Sequence, residues 1–170
     1  MRRTLLLLSL LLLGCERPGP RLSGSGMDMF APVKVRLHRL SRIVFPPPAS
    51  ATAPATAPAT TSAPMLEVHL ELSDQFGDAG KGVGEVMLQL FDAAPALSVD
   101  RKGPLLATWN LTLNSPEANR EHWDRTTRTY LFKFPLPASL PRDRDHFTLD
   151  ATFTLPNKST LTDELPLPLK

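Results

Sequence analysis

Residues 66–72 read LEVHLEL, and this stretch decides the fold class. Apolar and polar residues alternate without a break, Leu66, Val68, Leu70 and Leu72 with Glu67, His69 and Glu71. Successive side chains of a β-strand point to opposite faces, so this alternation predicts a strand with one face in a core and the other in water. Strands of this kind are typical of antiparallel sheets that are covered on one side.

The same alternation recurs along the chain, in residues 33–37, 86–91, 105–113, 128–134 and 147–155, and less cleanly in 160–169. Residues 33–44 also fit an amphipathic helix, but their β-branched residues favour the strand. About seven strands with one apolar face predict an all-β protein, an antiparallel β-sandwich. An immunoglobulin-like or transthyretin-like Greek key is the first expectation, and a C2-like sandwich of eight strands is the second.

Local signals add detail to this sandwich. Ser115 followed by Pro116 and Glu117 predicts one short helix that extends to about Trp123. Residues 156–159 read PNKS and predict a hairpin turn before an edge strand that tolerates Pro166 and Pro168. Trp109 alternates in phase with Leu105, Ala107, Leu111 and Leu113, so all five are expected to point between the sheets.

The first fifteen residues, MRRTLLLLSLLLLGC, have a basic start and an apolar run that is too short to span a bilayer as a helix. Residues 1–14 therefore predict a signal peptide. Their end, Leu12-Leu13-Gly14-Cys15, resembles the lipobox of bacterial lipoproteins. The resemblance implies cleavage before Cys15 and lipidation of that cysteine, the only one in the chain. Because Glu16 and not aspartate follows, it also implies an outer-membrane location facing the periplasm.

Composition divides the rest of the chain. Residues 15–31 are rich in Gly, Pro and Ser and predict a lipidated flexible tether. Residues 32–170 predict a single β-sandwich domain. Residues 46–64 contain only Pro, Ala, Thr and Ser, which predicts a disordered insertion in that domain.

Two segments, DQFGD at 74–78 and WDRTTRTY at 123–130, together with the lipobox, resemble a group of bacterial envelope lipoproteins. The resemblance covers residues 32–44 and 65–155. It implies that the first strand belongs to the domain, and it carries no activity.

Charge argues against nucleic acid as a partner. Without Arg2 and Arg3 of the predicted signal, the 19 basic residues become 17 and equal the 17 acidic ones. Nucleic-acid-binding domains are normally basic.

Two pairs of acidic residues suggest a calcium site. Asp74 and Asp78 follow a predicted strand, as calcium ligands do in C2 domains, and Asp143 and Asp145 precede another. If both loops lay at one end of the sandwich, four carboxylates could supply the oxygen ligands that Ca²⁺ prefers. The alternative is that these aspartates form hydrogen bonds to the backbone of their own turns.

No other residues suggest a cofactor or a catalytic site. Glu67, His69 and Glu71 share one face of a strand, but alternate residues are too far apart to bind one zinc ion easily, so a solvated face is expected. There is no Gly-x-Ser-x-Gly motif, and the cysteine is assigned to lipid. We therefore expect a non-enzymatic, membrane-anchored envelope lipoprotein that binds an envelope protein or polysaccharide. The alternative is a Ca²⁺-dependent sandwich that docks on lipid or polysaccharide.

Overall fold

The computed structural model describes residues 28–46, 63–93, 102–141 and 144–169. They form two antiparallel sheets and one short α-helix, so the predicted all-β sandwich is confirmed. The predicted signal peptide, Cys15, most of the predicted tether, residues 47–62 of the predicted insertion and Asp143 lie outside the described residues.

The strands follow the chain as β1 (Lys34–Leu37), β2 (Arg42–Val44), β3 (Met65–Ser73), β4 (Ala79–Gly80), β5 (Glu85–Ala93), β6 (Lys102–Thr112), β7 (Trp123–Asp124), β8 (Thr129–Pro135), β9 (His146–Thr154) and β10 (Thr160–Pro168). Helix α1 (Pro116–His122) connects β6 to β7, and a 3-10 turn occupies Asp28–Phe30. No helix among the described residues is long and apolar enough to cross a membrane.

The strand order supports the immunoglobulin-like alternative. Sheet A has the order β1-β3-β8-β7, with β2 and β4 also paired to β3, and sheet B has the order β10-β9-β5-β6. The longer strands correspond to the seven predicted ones. The assignment of these seven strands to the two sheets agrees with that of a constant-type immunoglobulin domain, with one exception. The fourth long strand, β6, lies in sheet B, whereas the fourth strand of the constant type lies in the sheet of the first two strands.

The core lies between the two sheets, where the alternating apolar residues meet. In β3, β5 and β9 every second residue is buried, as the sequence pattern predicts. The largest fully buried side chains include Tyr130, Phe132, Phe147 and Phe153. The strand alternative for residues 33–44 is confirmed, because Val35 and Leu37 of β1 are buried against this core.

Strand β6 departs from the predicted register at its start. Leu113 is fully buried and Trp109 is half-buried, its ring stacked on Phe134 with the centroids 4.7 Å apart. The prediction for Leu105 is wrong, because 51% of this residue is exposed. The pairing of β5 with β6 shifts at Phe91, and a bulge of this kind reverses the faces of the residues before it.

A buried polar network joins helix α1 to both sheets. The Tyr130 hydroxyl donates to Asn119 Oδ1 and accepts from the Gly82 amide at 2.9 Å. Asn119 Nδ2 donates to the carbonyl oxygen of Leu113. Burial raises the pKa of Tyr130 to about 12. The helix begins as predicted, with Ser115 Oγ accepting from the Ala118 amide.

Candidate binding surface

The structure uses Asp74 as a turn residue. Its Oδ1 accepts hydrogen bonds from the amides of Phe76 at 2.9 Å and Asp78 at 3.0 Å. Gly77 completes the turn with a φ of 85°, a left-handed conformation that favours glycine. These contacts agree with the alternative in which the aspartate stabilises its own loop.

Asp74 and Asp145 lie at opposite ends of the sandwich. A methyl group placed on Gly82 would lie 2.6 Å from Leu72 Cδ1 and 3.2 Å from Phe153 Cζ, so the end of β3 and the end of β9 are neighbours. Asp74 follows β3 at this end. Asp145 directly precedes His146, the first residue of β9. At the usual rise of a strand, the first and last residues of β9 are about 27 Å apart.

This placement argues against the predicted four-carboxylate calcium site. The structure does not bring Asp74 and Asp78 together with Asp145, and Asp143 lies outside the described residues. Within the described ranges, no group of three or more His, Cys, Asp or Glu side chains is placed to hold a metal ion.

The outer face of sheet A is a charged surface whose members form ion pairs. Glu67 contacts Arg42 Nε at 2.9 Å and Lys133 Nζ at 3.4 Å, and Glu71 contacts Arg36 at 2.8 Å. Partial burial of Glu67 raises the pKa of its carboxyl group, but the hydrogen bonds and charges of Arg42 and Lys133 outweigh this effect and hold the pKa below its usual value. The acidic side chains of this face are therefore paired with its basic side chains.

His69, between the two glutamates, is also engaged within the protein. Its Nδ1 lies 3.1 Å from Thr129 Oγ1, and Thr129 Oγ1 lies 2.8 Å from Thr127 Oγ1, which in turn donates to Asp124. Burial lowers the pKa of His69. The side chains of Glu67, His69 and Glu71 are therefore all held by ion pairs or hydrogen bonds within the protein.

The outer face of sheet B has different chemistry. In the part of this face near the β9–β10 turn, the exposed and half-exposed side chains are mainly hydroxyls and amides, contributed by Thr108, Asn110, Thr112, Gln89, Thr152, Thr154, Thr160 and Thr162. Strand pairing aligns them in rows across the sheet, for example Asn110, Met87, Thr152 and Thr162. We call this set of residues, with Met87 and Glu85, the hydroxyl face.

The side chains of the hydroxyl face have free hydrogen-bonding groups. None of its hydroxyls or amides bonds to another side chain or backbone group within the part of the chain that the structure describes. An open cavity of about 380 Å³ lies on this face, and its lining includes Glu85, Met87, Asn110, Thr112, Thr152 and Thr154. This surface can therefore offer both donors and acceptors to a ligand.

A charged cluster lies beside the hydroxyl face. Lys102 Nζ contacts Asp150 at 2.5 Å and Glu164 at 3.0 Å, and it lies 5.5 Å from the ring centroid of Phe91. The hydrogen bond to Asp150 raises the pKa of Lys102. One lysine shared by two carboxylates leaves this cluster with a formal net charge of −1.

Sequence reasoning did not identify the hydroxyl face. Single threonines on strands are common, since β-branched residues suit strands. Only the register of four strands brings them into one surface. Comparison with known proteins gave no match: no family model, no characterised protein and no solved structure is significantly similar to this chain.

Proposed function

We propose that this chain is a membrane-anchored envelope lipoprotein whose β-sandwich is a non-enzymatic binding module for polysaccharide. The proposal has two parts, an anchor at Cys15 and a binding surface on sheet B. Each part has its own support and its own test.

The anchor is supported by the sequence around Cys15. A basic start, an apolar run of signal-peptide length and the Leu-Leu-Gly-Cys ending agree with a lipobox. Lipidation also explains the presence of a single cysteine in an exported protein, where unpaired thiols are unusual. A lipid anchor would hold the sandwich close to the membrane surface.

Replacing Cys15 with serine should abolish lipid attachment, because serine lacks the thiol that receives it. Metabolic labelling with a fatty-acid analogue, followed by isolation of the chain, measures the effect. Wild-type chain should carry the label and Cys15→Ser should not. Label on the serine variant would refute the anchor.

The binding role depends on one observation, the hydroxyl face with its unpaired side chains. A polysaccharide presents hydroxyl groups that both donate and accept hydrogen bonds, and so do threonine hydroxyls and the amides of Asn110 and Gln89. Most of these groups are exposed on extended strands and need no rearrangement to reach a ligand.

The same face is poorly suited to other classes of ligand. Protein interfaces usually depend on buried Trp, Tyr or Arg side chains, and the hydroxyl face contains none. Polyanions would require several basic residues, but this face contains Glu85 and no lysine or arginine, and Lys102 beside it is engaged by Asp150 and Glu164. A neutral, hydroxyl-rich polymer fits this composition better.

Substitution within the cavity tests the binding role. The double variant Thr152→Ala with Thr154→Ala removes two hydroxyls, each worth about 1 kcal/mol if it bonds to the ligand, so affinity should fall roughly thirtyfold. Co-sedimentation with isolated cell-wall polysaccharide and with a neutral glucan measures binding.

The matched control is Thr126→Ala, which removes an exposed hydroxyl from a turn beside sheet A and should leave affinity unchanged. Absence of binding by the wild-type chain, or equal binding by the double variant, would contradict the polysaccharide role. Neither result would affect the anchor at Cys15.

A further inference from the structure

We propose that the free edge of β6 pairs with the same strand of a second copy of this chain, so that sheet B continues across a dimer. The inference is independent of what sheet B binds. It depends on the backbone of β6, on the side chains at its edge and on the contrast with the other sheet edges.

The backbone of β6 has unpaired groups on one side. Leu113 donates to Gly84 at 2.8 Å, in the same register that pairs Leu111 with Val86 and Trp109 with Leu88. In an antiparallel ladder alternate residues exchange hydrogen bonds with the partner strand, so the amides and carbonyls of Thr108, Asn110 and Thr112 point away from β5. Among the described residues, no backbone group pairs with them.

The other edges carry features that discourage pairing. β10 has Asp163, Glu164, Pro166 and Pro168, and charges and prolines at an edge oppose strand addition. β1 is four residues long with Lys34 and Arg36, and β7 is two residues long. By contrast, β6 has no charged residue after Lys102, and its only proline, Pro104, lies near its start.

A second copy is the partner that this edge fits. If a two-fold axis passes through Asn110, Asn110 lies opposite the partner's Asn110, and Thr108 lies opposite the partner's Thr112. Each outward amide then meets an outward carbonyl. In the same register, the half-buried Trp109 lies beside the partner's Leu111. This contact would cover the part of each side chain that is exposed in the single chain.

A charge at the axis tests this arrangement. Asn110→Lys would place two like charges directly opposite each other, as would Asn110→Glu, and each should raise the dimer dissociation constant about tenfold or more. An equimolar mixture of the two variants should dimerise again, because opposite charges then face each other. Thr162→Lys, on the same face at the other edge of sheet B, is the control and should dimerise like wild type.

The measurement is sedimentation equilibrium of the full chain in density-matched detergent over a dilution series, with hydrogen exchange at the amides of Thr108, Asn110 and Thr112. A wild-type dimer with slowed exchange at these amides supports the proposal. A wild-type monomer overturns it, and slowed exchange in a monomer would mean that the chain covers its own edge. An Asn110→Lys variant that dimerises as wild type does also overturns it.

Discussion

Replacing Phe153 with alanine should cost about 3–5 kcal/mol of the free energy of unfolding, the usual penalty for removing a buried aromatic side chain. Phe153 is fully buried on the inner face of β9, between Val86 of β5 and Leu161 of β10. Its ring lies close to Gly84: a methyl group on that glycine would be 2.7 Å from Phe153 Cζ. Because glycine has no side chain that could move into the space, the cavity should remain largely empty.

The neighbouring residue supplies the control for Phe153→Ala. Thr152 lies on the outer face of the same strand, and Thr152→Ala should change stability by about 0.5 kcal/mol or less. Urea unfolding followed by tryptophan fluorescence measures both variants. A domain of this size has about 5–15 kcal/mol of stability, so Phe153→Ala should remove between about a fifth and all of it. A loss below about 1 kcal/mol would mean that the inner face of β9 is not the core.

Tyr130→Phe should cost about 1–3 kcal/mol, because it leaves buried groups without their partner. The phenylalanine ring can fill the same space, so packing is preserved. However, the Gly82 amide and Asn119 Oδ1 both lose the hydroxyl to which they bond. A double-mutant cycle with Asn119→Ala should show coupling between the two residues. Additive effects of the two substitutions would contradict the network.

The raised pKa of Tyr130 predicts a loss of stability at high pH. The phenol titrates near pH 10 in the unfolded chain and near 12 in the folded protein, so folding favours its neutral form. The stabilisation is complete below pH 10 and is lost as pH rises through 12, a change of at most about 3 kcal/mol, of which about half is reached at pH 11. Tyr130 is the only tyrosine of the chain, so Tyr130→Phe should lack this part of the pH dependence. Urea midpoints of both proteins at pH 8 and pH 11 measure it.

The fold class could be predicted because alternation is a local property. The pattern of β3, β5 and β9 shows directly which side chains face the core, and Ser115 and Pro116 mark the start of α1. Because alternation is only local, it also placed Leu105 on the wrong face. A bulge in the pairing of β5 with β6 reverses the face of a residue without leaving a local signal.

The calcium hypothesis shows a similar limit. Asp74 and Asp145 each have the residue type and the position next to a strand that a ligand would need. Whether they meet depends on which ends of β3 and β9 lie together, and the contacts around Gly82 place Asp74 and Asp145 at opposite ends. Sequence spacing carries no information about that alignment.

The sequence by itself therefore determined the longer strands and most of their buried faces, since hydrophobic periodicity acts within a few residues. It also contains the segment resembling a lipobox, from which an anchor at Cys15 is expected. Only the tertiary structure decided which strands are neighbours. That arrangement separates the ion-paired face of sheet A from the hydroxyl face of sheet B, joins Tyr130 to Asn119, and leaves β6 at an edge. The physical reason is that strand order and register depend on pairing between residues far apart in the chain, which no local pattern specifies.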